Sequence, residues 1–345
     1  MSQTCGVLVD VPDEILPIFD KIIALTDPEF QPLVADILSM VPHDILLGIM
    51  KSKPDSKVRI LECINNVDGK TKHVRYASWV KRGLMPKCLD GVDWATIMGE
   101  VEDQLDHDIC WAVVASELIR AVILIERPGT DPNIRFSIQD LVDHTDPVER
   151  RNIKASGHYC YTSSINRGMK YVMENGILTE EDRPFSGCPK DIPDRQQSEL
   201  SYIKDFKRLH TADEALLQLK HQPIGAAVAM FYPEFNEIGE NMYRGPVLQN
   251  SRLIGLHAVS LVKAGVKNGE RYIRVRSSNG ENIGFKGYLD VSLDVMFAYV
   301  PTPGEETDSL AQKYFAEPSP LLRRFSYPRL FKRAEEEKRR RKSGR

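Results

Sequence analysis

The chain has few cysteines, and they are arranged in no pattern. Cys5, Cys63, Cys88, Cys110, Cys160 and Cys188 form no CxxC pair and no disulfide-framework spacing, so a zinc finger or a cystine-stapled secreted module is not expected. No N-x-[ST] glycosylation sequon occurs. No apolar run reaches the ~18 residues that a membrane span needs, so no membrane partner is expected. The opening "MSQTCGVLVDVPDEILPIFD" lacks a basic region, an apolar stretch and a small-residue cleavage site, so no signal peptide is expected. A phosphate-cradling G-x-x-x-x-G-K, a zinc-binding H-E-x-x-H and any internal repeat are also missing. These gaps predict an intracellular protein, in nucleus or cytoplasm, with no cofactor and no metal.

What is present is a soluble composition, with 42 % hydrophobic and 28 % charged residues. The net charge of -3 conceals an uneven split. Residues 321–345 hold eleven Lys or Arg against three Glu, so a +8 tail follows a body of -11. A basic tail on an acidic body reads as an address or a partner site. "RRFSYPRLFKRAEEEKRRRK", Arg323 to Lys342, has basic clusters at both ends of a spacer, the pattern of a bipartite nuclear-import signal with an import receptor as its reader. The acidic body argues against nucleic acid as a partner.

Along the chain, residues 12–51 hold three short apolar stretches separated by Asp-Pro and Val-Pro steps, which predicts a small helical lead-in. "KVRILECINNVDGKTKHVRYASWV" predicts a hairpin turning at Asp68-Gly69. "CWAVVASELIRAVILI", from Cys110, is apolar nearly all round, the mark of a helix buried on most faces. "SSINRGMKYVMENGIL" predicts a second helix capped by Asn175-Gly176. Beyond about residue 220, β-rich runs are set off by Gly and Pro. The pattern predicts an α+β protein: an extension over 1–89, a main domain over 90–303 with a cleft between a helical and a strand half, and a disordered basic tail over 304–345. His73, His158, His210 and His221 are expected at the surface.

From about Asp90 to Pro301 the order of segments resembles the papain family of cysteine peptidases. "VDW" is similar to that family's mature N-terminus. Gln104 stands six residues before Cys110-Trp111, as the family's oxyanion-hole glutamine does. "YCYTSSINRGMKYVMENGI", "RPF", "LHAVSLVKAG" and "RYIRVRSSNGENIGFKGY" resemble further family segments in order, with His257 about 150 residues after the cysteine. The resemblance implies a two-lobed papain-like fold, with a helical left lobe and a β-barrel-like right lobe, acting on a peptide or protein substrate.

Thiol-based peptide cleavage needs a nucleophile, a base, a group that orients the base and donors for the oxyanion. The resemblance assigns Cys110, His257, Ser277 and Gln104 to these roles. It assigns Trp111, Thr162, Ser163 and Asn279 to the substrate cleft. The chain also departs from the family. Ser277-Ser278-Asn279-Gly280 replaces Asn-Ser-Trp-Gly, so a shorter hydroxyl stands where the orienting asparagine belongs. Residues two apart in a strand share a face, which offers Asn279 as a substitute. Tyr161, Thr162 and Ser163 replace the cleft glycines and crowd the groove. Asp108 is either a helix N-cap or a charge that opposes thiolate formation. His107 and His144 occupy implied disulfide positions, which leaves Cys160 and Cys188 expected unpaired. Two readings follow: a peptidase with a weakened triad, and a catalytically inactive relative that binds a protein partner.

Overall fold

A computed structural model of the chain describes residues 60–66, 68–77, 91–152, 158–195, 198–301 and 308–332, with isolated positions at 30, 31, 34, 89 and 335. The lead-in helices expected over residues 12–51 lie outside the described residues.

The elements in chain order are β1 (Ile60–Asn65), β2 (Thr71–Ala77), α1 (Cys110–Glu126), α2 (Ile138–His144), α3 (Pro147–Asn152), α4 (Ile165–Asn175), β3 (Asp205–Leu209), α5 (Ala212–Leu219), β4 (Ile224–Tyr232), α6 (Glu234–Glu237), β5 (Met242–Tyr243), β6 (Arg252–Lys267), β7 (Glu270–Arg276), β8 (Tyr288–Ser292), β9 (Val295–Tyr299), α7 (Ser309–Phe315), β10 (Ser319–Pro320) and β11 (Leu322–Arg329). The β1–β2 hairpin turns where the sequence predicts, with Gly69 at φ +77°, a conformation that glycine adopts without steric cost. It joins β9 and β10 in a four-stranded sheet of order β1-β2-β9-β10.

Seven strands form the main sheet, in the order β3-β11-β4-β6-β7-β8-β5. Its outer strands β3 and β5 are not paired to each other, so the expected barrel-like lobe is an open sheet. The two larger hydrophobic cores divide the body. One lies on the sheet around Phe231, Val259, Ile273 and Phe297. The other surrounds α1 and includes Trp111, Leu118, Leu141, Met169 and Ala258. The helical half and the strand half are thus separate packing units that meet along α1 and β6.

Helix α1 is buried on most faces, as its pattern requires. It carries one charge inward. The Glu117 carboxylate accepts from Arg276 Nε at 2.8 Å and from Ser260 Oγ at 2.8 Å. Burial pushes the Glu117 carboxyl up, and Arg276 opposes that shift. This cluster pins α1 to β6 and β7. Gly225 of β4 permits the same close approach, since a Cβ there would lie 2.8 Å from Leu118 Cδ1.

The tail departs most from expectation. Residues 308–332 are not disordered: α7 is capped by the Asp308 side chain, which accepts from Ala311 N, and β11 lies in the main sheet between β3 and β4. Phe325 and Leu322 are buried in the sheet core, which compensates for the charges on the same strand. The first basic cluster of the supposed import signal is therefore part of the fold.

Candidate active site

Cys110 is the first residue of α1, and His257 lies near the middle of β6, opposite Val228 of β4. Ser277 follows directly after β7 ends at Arg276. The pinning of α1 to β6 and β7 through Glu117 sets the helix N-terminus and these two strands in one frame. Cys110 lines a cleft with Ser163, Asn166, Ala226, Ala258 and Arg324.

His257 is 2 % exposed, and burial alone pushes its imidazole down to about 4. It is therefore neutral at neutral pH. Its Nε2 lies 3.2 Å from Ser277 Oγ, and the Ser277 hydroxyl donates to Asn279 Oδ1 at 2.7 Å. A serine has one proton to give. With that proton directed to Asn279, Ser277 Oγ accepts from Nε2–H, and the ring's lone pair sits on Nδ1. The strand pattern expected to bring Asn279 to the imidazole ends too early. Asn279 acts one step removed, by orienting the serine.

The Gln104 loop is tied to this loop. Gln104 N donates to Ser278 O at 2.8 Å, Ser278 Oγ donates to Gln104 Oε1 at 2.6 Å, and Gly280 N donates to Glu102 O at 3.1 Å. Gly280 has φ +74°, and a Cβ there would meet Asp103 Oδ2 at 2.8 Å, so this crossing needs glycine. Gln104 Nε2 donates to His107 O at 2.9 Å. An amide carries two N–H groups, so one remains for an oxyanion.

Cys110 is set for a thiol. Burial, the largest influence, raises its pKa; the Ala258 and Trp111 N–H groups lower it, and the Asp108 charge raises it again. Among the described residues no hydrogen bond joins its sulfur to the His257 ring. Asp108 is not the cap: Ile109 holds that position, without a side-chain bond. The charge reading of Asp108 is the one the geometry supports.

The substrate-side residues divide. Ser163 lines the cleft, while Thr162 is exposed and is not among the lining residues. Trp111, expected at the substrate, is 1 % exposed and donates its indole N–H to Tyr161 O at 2.9 Å. It holds the Tyr161–Ser163 segment against α1 and cannot touch a substrate. Tyr161 does not crowd the groove, because it is buried and its hydroxyl accepts from Asp146 N.

Two histidine and cysteine expectations are corrected. Cys160 and Cys188, expected unpaired, are joined as a disulfide with Cα atoms 5.1 Å apart. His107 Nδ1 lies 3.2 Å from Cys188 Sγ, whereas His144 sits apart, stacked on Tyr171. With both sulfurs in the bond, neither is available as a thiolate for a metal. His73 is not at the surface: it is 1 % exposed, between the rings of Phe231 and Tyr299. Sequence reasoning missed Ala258, Ser278, Glu117 and Arg276, none of which carries a motif of its own. It also missed Arg324, which lay inside a segment read as tail.

The papain family cysteine protease profile matches residues 85–299, and the chain belongs to that family. It is 28 % identical over 211 residues to a probable cysteine protease RDL6 of Arabidopsis thaliana, covering 59 % of this chain and 55 % of that protein. It is 26 % identical over 216 residues to a cathepsin L-like proteinase of Phaedon cochleariae, covering 59 % and 60 %. The chain thus spans little more than half the length of the curated relatives it matches. The bromelain protease of Ananas comosus, solved with an inhibitor, superposes with a TM-score of 0.50 at 20 % identity, over 70 % of this chain and 98 % of that one, and shows the shared fold.

Proposed function

We propose that the chain is a cysteine-type peptidase whose resting pair is a neutral thiol and a neutral imidazole. The observation that carries this is the His257–Ser277–Asn279 chain, which leaves Nδ1 of a buried ring as the base. The Cys110 proton passes to Nδ1 as the sulfur attacks the substrate carbonyl carbon. The oxyanion meets the remaining Gln104 N–H. His257 then gives its proton to the leaving amine, and water hydrolyses the thioester by the reverse sequence. The sulfur–imidazole contact, absent among the described hydrogen bonds, forms by side-chain adjustment in the substrate complex, where such contacts commonly tighten.

A second reading, an inactive protein-binding relative, is favoured by the raised Cys110 pKa and the Asp108 charge beside it. A thiol-reactive epoxide probe on full-length protein, with Cys110→Ala as control, separates the two. Labelling confined to the wild type, with turnover of a fluorogenic dipeptide panel, supports the peptidase. Neither labelling nor turnover in folded protein supports the binding module.

The basic tail remains a proposed address for an import receptor, its second cluster, residues 338–342, lying outside the described residues. A reporter too large for passive nuclear entry, fused to residues 333–345, accumulates in the nucleus if this holds and stays cytoplasmic if not.

A further inference from the structure

Strand β11 follows β4 in register at Leu322↔Val228 and Arg323↔Ala227, then slips before resuming at Ser326↔Gly225. At the slip, Arg324 takes φ +61°. A bulge re-aims the side chain it carries, and a non-glycine residue in this region is uncommon enough to call for a reason. Here Arg324 lines two neighbouring cavities at once. One is the cleft of Cys110. The other is walled by Arg167, Lys170 and Arg208, and the two share Ser164, Asn166 and Arg324.

The cations of this groove are not equally occupied. Arg167 is held by Asp146 at 2.9 Å and Lys170 by Glu174 at 3.9 Å. Among the described residues, Arg208 and Arg324 have no carboxylate partner. Each lies over an aromatic ring instead: Arg208 over Phe206 at 6.0 Å and Arg324 over Tyr314 at 5.8 Å. A guanidinium supported on a ring face keeps its in-plane N–H groups free for a carboxylate. Beside them, the buried Ser163 Oγ and Asn166 Oδ1 have no hydrogen-bond partner among the described residues. The body around this groove is acidic overall, so the basic site is local.

We infer that the cleft selects acidic peptides, with Arg324 reading a carboxylate near the scissile bond and Arg208 a second one further along the groove. This rests on the peptidase reading for its cleavage step but not for its binding step. The test uses full-length Cys110→Ala protein and fluorescein-labelled peptides that differ only in Glu, Gln or Lys at matched positions, read by anisotropy at low and high salt. The Glu peptide binds several-fold tighter than its Gln isostere, since Arg208 and Arg324 are exposed and each exposed pair supplies up to about fivefold. The advantage shrinks with added salt. It disappears in Arg208→Gln/Arg324→Gln and persists in Lys267→Gln, a charge-matched control at the end of β6. Equal binding of Glu and Gln peptides by the parent protein, or a preference that survives the double variant, overturns the inference. If warhead labelling of Cys110 fails while the Glu preference holds, the peptidase reading falls and the acidic-peptide site stands. If labelling succeeds without a Glu preference, the site falls and the peptidase stands.

Discussion

At Cys110, burial and the Asp108 charge act against the helix-end N–H groups, and burial is the larger. The sulfur is a thiol at neutral pH, and its reactivity follows the thiolate fraction. Iodoacetamide alkylation of Cys110 should therefore rise with pH through and beyond the ordinary cysteine range, with no plateau on the acid side. A preformed thiolate–imidazolium pair would give such a plateau, and a rate flat across mildly acidic pH would disprove the neutral pair. Asp108→Asn should speed alkylation several-fold at pH 7, measured by mass spectrometry against Cys110→Ala. The candidate residues Cys110, Gln104 and His257 could be nominated from the sequence because each stands in a recognisable neighbourhood: Cys110 before an apolar helix, Gln104 six residues earlier, His257 in a β-rich run. The Ser277–Asn279 relay was not, because where a strand stops depends on its neighbours, and β7 stops at Arg276.

Among the elements, α1 depends on one buried ion pair for its alignment with β6 and β7. Removing one partner leaves the other charge buried alone, which costs about 3–5 kcal/mol. Glu117→Ala should show a loss of that order in urea unfolding; a change under 1 kcal/mol, roughly a surface pair's worth, would mean the cluster does not hold the helix. The Cys160–Cys188 bond links residues 28 apart, so opening it should cost about 3–4 kcal/mol on the chain-entropy estimate. Tm with and without a strong reductant, using Cys160→Ser/Cys188→Ser as reference, measures this. Helices α1 and α4 and the hairpin were readable from periodicity and a turn dipeptide. The disulfide was not, since its pairing is decided by how distant loops meet. Strand β11 was also hidden: Pro328 and three arginines made "LRRFSYPR" look solvated, although Phe325 and Tyr327 carried the β signal.

For the whole molecule, two buried neutral histidines set the response to acid. Burial pushes His73 down to about 3 and His257 to about 4, both from 6.5. Each folded pKa lies below the unfolded one, so below about pH 6.5 the unfolded chain binds protons that the fold refuses. Stability then falls by about 1.4 kcal/mol per pH unit for each histidine, down to its folded pKa. Among the described residues His73 has no hydrogen-bond partner on either ring nitrogen, so His73→Phe should keep neutral-pH stability and remove one of the two slopes. Urea midpoints from pH 7 to pH 4 check this; parallel curves for both proteins would refute it.

The position of β11 also fixes an order of events in time. The strand lies between β3 and β4, roughly ninety to a hundred and twenty residues earlier in the chain, and carries one wall of the Cys110 cleft. While the chain is being made, its helical half can pack, but the groove stays open on one side until Arg329 has left the ribosome. A nascent chain of this kind carries Cys110 on a formed helix before the wall that Arg324 adds to its cleft is in place, so that wall is completed only when β11 docks.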